Sequence, residues 1–258
     1  MNSLALTLDN LAINTPCTIP TNWLQGRTAY GGLSAAMALD LVMKEHSDGL
    51  PPLRTAQISF VGPVTDSVCF QTEVLRRGKS VTQIGVDARV ADALAMRVSF
   101  CFANERKSNF HHMRVQRPDV GPPSLYVQPI AWDNPPGFFQ NFEVRFIGDS
   151  IPDSSSTVPE LLAWVRLRDT DGIRPDVALM AIADSLPPAS MAMFSAPLPI
   201  SSMNWTIDLV GPVPTSGWLL LRSSSLAASN GYSFQLMEIW DQNGNLVMLS
   251  TQTVAIFG

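Results

Sequence analysis

Val61-Gly62-Pro63-Val64 reads as a turn after a strand-like run, and the same tetrad returns as Val210-Gly211-Pro212-Val213, 149 positions later. On the C-terminal side of each copy the self-similarity continues: Gln83, Leu94 and Met96 recur as Gln235, Leu246 and Met248, now 152 positions apart, so three residues are inserted between the two sets of matches. Before the first tetrad lies a helical pattern from Leu33 to about Glu45, with Leu33, Met37 and Leu41 at helical spacing and Gly49, Pro51 and Pro52 as its stop. That helix is apolar on nearly every side and is expected to be buried. After it come strand-like runs near 54–62, 68–76, 80–90 and 94–103, separated by turn signals such as Gly62-Pro63 and Arg77-Gly78. The second half repeats the scheme, with strand-like runs at 138–148 and 161–168, a helical run from about Arg174 to Ser185 ended by Pro187-Pro188, and runs near 201–210, 218–226, 232–241 and 246–257. The order predicts an α+β fold built as two copies of one helix-plus-antiparallel-sheet unit, 1–104 and 138–258, joined by a polar then Pro-rich connector, 105–137. Residues 1–30 read as strand and loop.

Composition bounds the function. Of 258 residues, 46% are hydrophobic and only 15% charged, with net charge -5, so no basic field draws the chain to nucleic acid or to an anionic membrane surface. Cys17, Cys69 and Cys101 are far apart and lack metal-site spacing; the expected state is reduced and buried. No basic leader precedes an apolar core at the start and no 18 apolar residues run together, so a soluble cytoplasmic protein is expected.

The last strand-like run, Leu246 to Phe257, carries Ser250, Thr251, Gln252 and Thr253 at its centre. A buried amide without partners costs a few kcal/mol, so Gln252 is either satisfied by a structural ladder or part of a polar site. In the register of the repeat it falls opposite Phe100, which makes the two copies chemically unequal. Asp184 follows an uncharged stretch, VALMAIA, and its carboxyl needs partners or a wet cleft; an exposed last-turn Asp is the plainer alternative, although a helix C-terminus disfavours negative charge. Strict alternation would set Ser202, Asn204, Thr206 and Asp208 on one strand face and Met203, Trp205, Ile207 and Leu209 on the other, which leaves Ser202 open to solvent. Gly31 and Gly32 would let backbone amides approach a ligand or let the helix pack tightly on a sheet. Arg76, Arg77 and Lys79 form a basic turn that could hold phosphates or simply be solvated.

Taken together, WLQGRTAYGGLSAA, ISFVGPV with VLRRGKS, AIADSLPP, SSMNWTIDLV and LVMLSTQ make the chain similar to the acyl-CoA thioesterase II family along nearly its whole length. The resemblance implies a double hotdog, each long helix wrapped by an antiparallel sheet. It implies hydrolysis of acyl-CoA thioesters with no cofactor and no metal, CoA being part of the substrate, and assembly into a homo-oligomer. It carries three catalytic positions onto Asp184, Ser202 and Gln252, with Asp184 as general base or as a nucleophile forming an anhydride. Gly31, Gly32 and Arg77 are assigned to substrate binding by the helix start and the basic turn, not by the resemblance. The sequence departs from the family where many members carry an Asp-His pair two residues after the hydroxyl; here Asn204-Trp205 stands there. That departure motivates the alternative of a non-catalytic acyl-CoA or lipid-binding hotdog protein. A nucleophile elbow is not expected, since GGLSAA ends in Ala36 and follows no buried strand. His46, His111 and His112 read as structural or exposed rather than as dehydratase residues. Tyr126, Trp132, Phe138 and Phe139 could line an acyl tunnel or cover the core.

Overall fold

The computed structural model describes residues 2–65, 67–126 and 135–257; Trp132 lies outside them. A short helix, α1 (Leu4–Asp9), is capped by the Ser3 hydroxyl, which accepts from the Leu6 amide, so the start of the chain is helical where strand and loop were expected. The first half then runs β1 (Cys17–Thr18), β2 (Leu24–Gln25), β3 (Thr28–Ala29), α2 (Gly31–Glu45), β4 (Leu53–Phe60), β5 (Ser67–Arg77), β6 (Val81–Val90) and β7 (Ala93–Ala103). The second runs β8 (Phe142–Phe146), β9 (Glu160–Leu167), α3 (Pro175–Ala183), β10 (Ile200–Leu209), β11 (Leu219–Ser229), β12 (Tyr232–Trp240) and β13 (Leu246–Ile256). A 3-10 turn over Gly137–Asn141 replaces the start of the strand expected from residue 138.

Among the described residues one antiparallel sheet of eleven strands carries both halves, in the order β1-β5-β6-β7-β4-β10-β13-β12-β11-β9-β8. The seam is the β4–β10 pair. There Ile58 lies opposite Trp205 and Ala56 opposite Ile207, and between them Gln57 faces Thr206, its own counterpart at the 149-residue shift. That register puts a local two-fold axis through the Gln57–Thr206 pair. The halves also share a defect: the β4–β7 register slips between Leu53 and Thr55, and the β10–β13 register slips between Ser202 and Asn204, which is the same place under the same shift.

α2 is buried from Gly32 to Val42, and its Leu and Met side chains, each worth about 1.5–3 kcal/mol of burial, fill the inside of the sheet. α3 is shorter. Pro175 opens it, Asp176 favours its first turn, and Pro187 and Pro188 follow too closely for it to continue past Ala183. The two helices pack on each other, tied by the Tyr30 hydroxyl donating to the Ala181 carbonyl at 2.9 Å. Phe138 stacks on Tyr30 with ring centroids 4.0 Å apart, so the first residues of the second half seal the first helix. The connector crosses the outer face of the second half, where the Trp164 indole donates to the Gly121 carbonyl and Arg117 lies over the same ring. Tyr126 joins that outer cluster, whereas Phe138 and Phe139 are core. The three cysteines are free but half-buried instead of fully buried.

Strand pairing corrects one sequence match. Gln235 pairs with Gln252, and Ile84 holds the matching place in the first half, opposite Phe100. Gln83 is one residue off and points outward, because a single-residue slip in a strand exchanges the faces.

Candidate active site

Asp184 is the C-cap of α3, set at the negative end of a helix. Its position is rescued by the other helix. The N-terminus of α2 arrives opposite, and the Gly32 amide hydrogen-bonds the Asp184 carboxyl. The approach is close enough that a Cβ on Gly31 would fall 2.7 Å from Asp184 Oδ2 and 3.2 Å from the Phe60 ring. Glycine at 31 is therefore a packing requirement of this contact. Gly32 faces the other way, and a Cβ there would meet the Tyr30 ring at 2.7 Å.

Gln252 reaches Asp184 from β13, its Nε2 donating to Oδ1 at 2.7 Å. Ser202 donates from β10 to Gln252 Oε1 at 3.4 Å. Strict alternation fails here for a physical reason: the bulge at Met203 adds a residue, so Ser202 and Trp205 both turn to the inner face although three positions separate them. Asp184, Ser202 and Gln252 thus come together around a cleft of about 450 Å³, along with Gly31, Phe60, Phe138 and Met191. Asp184 keeps part of its surface open to that cleft. Burial of the carboxyl raises its pKa from 3.8 to about 7, against the lowering effect of the Gln252 and Gly32 hydrogen bonds. A carboxyl poised there can take up and return a proton near neutral pH.

Gln235 was not singled out from the sequence, yet it completes the site. Its Nε2 donates to Gln252 Oε1 at 2.9 Å, and its own Oε1 accepts from the Ala189 amide at 3.0 Å and from the Ser223 hydroxyl at 3.4 Å. A buried Gln at the centre of an apolar strand was the available signal. Arg77 is not brought to the cleft: it donates to the Asp48 carbonyl beyond the far end of α2. Asn204-Trp205 does not line the cleft either. Asn204 accepts from the Thr253 amide, and Trp205 is fully buried. His46 caps the C-terminus of α2 beside the Thr72 hydroxyl, and His111 and His112 are exposed. Among the described residues no cluster of His, Cys, Asp and Glu could hold a metal ion, and no helix is long and apolar enough to cross a membrane.

The two-fold axis generates a second cleft of about 590 Å³, bounded by Leu53, Arg174, Pro175 and residues 209–213. Tyr30 and Arg174 are the N-caps of α2 and α3, so Pro175 stands in the place of Gly31 and Asp40 in the place of Asp184. Asp40 is buried and paired with Lys44 at 2.8 Å, while Phe100, Ile84 and Leu53 occupy the positions of Gln252, Gln235 and Ser202. Among the described residues the polar network exists once.

Comparison with known proteins accords with this architecture. Residues 19–103 match the model of the acyl-CoA thioesterase N-terminal domain, and residues 115–256 match that of the acyl-CoA thioesterase C-terminal domain. The chain belongs to the acyl-CoA thioesterase family. Its fold is the double hotdog. A conserved protein of unknown function with a hot dog fold from Alicyclobacillus acidocaldarius superposes with a TM-score of 0.87 at 21% identity, covering 100% of this chain and 99% of that one. The acyl-CoA thioesterase II TesB2 of Mycobacterium marinum superposes with a TM-score of 0.75 at 19% identity, covering 99% and 98%. At these identities the likeness is one of fold. No curated protein matches the sequence.

Proposed function

We propose that this chain hydrolyses acyl-CoA thioesters to the free acid and CoA, with Asp184 as the general base. The observation that carries the reading is the Asp184 carboxyl, its pKa near 7, open to a cleft and held by the Gln252 and Gly32 donors. A water between Asp184, Gln252 and Ser202 loses a proton to Asp184 as its oxygen attacks the thioester carbonyl carbon. The tetrahedral intermediate collapses with cleavage of the C–S bond, and the proton on Asp184 returns to the departing thiolate. The N-terminus of α2 faces the reacting centre and favours the developing oxyanion. Phe60, Phe138 and Met191 give the acyl group an apolar wall. Arg77, at the other end of α2, has no part in this reading.

The test is release of free CoA thiol from short, medium, long and aromatic acyl-CoAs, for the wild type and for D184A and Q252A at matched folded concentration. The expected result is turnover on part of the panel, reduced by roughly a hundredfold to ten-thousandfold in D184A. Binding of acyl-CoA without turnover on any member would instead establish the acyl-CoA-binding alternative.

A further inference from the structure

We propose that Gln235 is a positioning residue that keeps the N–H edge of Gln252 turned toward Asp184 throughout a catalytic cycle; this rests on Asp184 being the base. A glutamine amide has a donor end and an acceptor end, and a half-turn exchanges them. While Asp184 is ionised, its charge alone selects the donor end. Once Asp184 has taken a proton, its O–H could donate to a carbonyl, and Gln252 on its own would be free to turn over. Gln235 removes that freedom. Its Nε2 donates to Gln252 Oε1 at 2.9 Å, and a flipped Gln252 would place two NH2 groups face to face.

The sense of Gln235 is itself imposed from outside the side-chain network. The Ala189 amide, which can only donate, sits 3.0 Å from Gln235 Oε1. Ala189 follows Pro188 and opens the 3-10 turn Ala189–Met193, where a first-turn amide has no partner within its own helix. The chain of donation therefore runs one way, from the Ala189 backbone through Gln235 and Gln252 to the carboxylate. Gln235 and Gln252 are 2% and 3% exposed, so solvent cannot take over either role.

A second observation separates positioning from packing. In the first half the matching pair is Ile84 opposite Phe100, fully buried and apolar, and the sheet forms there without any amide. The fold does not need two glutamines at this level; the half that holds Asp184 has both. Tyr30 senses the Asp184 charge, but its hydroxyl is committed to the Ala181 carbonyl, while Gln252, Gln235 and Ser202 are uncharged.

The test compares the wild type with Gln235→Met, close in shape and without hydrogen-bonding ends, and with Gln235→Glu. The latter keeps an acceptor for Ala189 but, when ionised, draws the NH2 of Gln252 away from Asp184. Each is measured for kcat and KM, for thermal stability, and for the titration of Asp184 by 13C NMR of carboxyl-labelled aspartate, assigned with D184N. The expected result in both variants is kcat lower by roughly tenfold to a hundredfold with KM within about threefold. The Asp184 midpoint should also move up: in Gln235→Met because the freed Gln252 carbonyl can turn to accept from the protonated carboxyl, and in Gln235→Glu because a donor to the charged form is lost. An unchanged midpoint in either folded variant would overturn the inference, as would a loss of kcat that only follows a loss of stability. The titration needs no turnover, so it decides the role of Gln235 even where wild-type protein hydrolyses nothing on the panel and the proposed activity fails.

Discussion

Asp184 pays in stability for its place between two helix ends. Its pKa is about 7 in the folded chain against an ordinary 3.8, so between those values the folded state holds a proton that the unfolded state has released. Stability contributed by this group is complete below about 3.8 and is lost as pH rises through about 7. D184N, which cannot ionise, is therefore expected to melt a few degrees above wild type at pH 8 and to lose that advantage at pH 4, while being inactive throughout; calorimetry at the two pH values checks it. With Asp184 as the proposed base, kcat/KM should climb tenfold per pH unit below about 7 and level off above it, and a flat profile across that range would remove Asp184 from that role. Asp184 and Gln252 stood out in the sequence as polar groups in apolar runs, but their convergence with Ser202 was implied by the family resemblance alone. Ser202 did not stand out, because the bulge at Met203 reverses the parity that alternation assumes. Gln235 was matched to Gln83 through identity of letters, when the strand pairing matches it to Ile84.

At the scale of elements, the two helix ends are locked by two adjacent glycines that do different work. Gly31 makes room for the Asp184 carboxyl, and Gly32 for the Tyr30 ring that packs between α2 and Phe138. Gly31→Ala should push Asp184 off the N-terminus of α2, lowering kcat by roughly tenfold or more with a small change in melting temperature. Gly32→Ala should act the other way round, displacing a buried aromatic ring and costing about 1–3 kcal/mol of stability before it touches the chemistry. Measuring kcat and melting temperature on both variants separates the roles; equal losses in both would mean that the helix end moves as one body. Most element boundaries fell within two or three residues of their sequence positions, since hydrophobic period and the Gly and Pro stops determine them locally. The helix α1 was missed although its Ser3 cap is a local signal, whereas the 3-10 turn Gly137–Asn141 was missed because it is held by what it packs on. Trp23 lies edge-on to Phe142, and the Asn22 side chain hydrogen-bonds Asn141 at 2.8 Å.

For the whole molecule, the axis through Gln57 and Thr206 creates two equivalent clefts, and divergence has left them unequal. The two-copy reading rested on the recurring tetrad together with the matching order of elements, since the identity between the halves is thin. The pairing of helix ends across the halves was not readable, because the helices match at a shift of 144 residues and the seam strands at 149, so no single alignment reveals that Asp40 stands where Asp184 does. The difference between the sites is chemical and complete. Asp40 is tied to Lys44, an ammonium one helical turn on, where Asp184 is followed by prolines that end the helix. Phe100 and Ile84 make apolar the interior positions that Gln252 and Gln235 make polar, and Pro175 offers no amide where Gly31 stands. A thioester drawn toward the second cleft would find neither a free base nor an oriented donor. Calorimetric titration with a non-hydrolysable acyl-CoA analogue should consequently give one site per chain, and Q252A should weaken that site. A stoichiometry near two would mean that the cleft beside Arg174 still takes the ligand, and that the halves have parted in chemistry without parting in recognition.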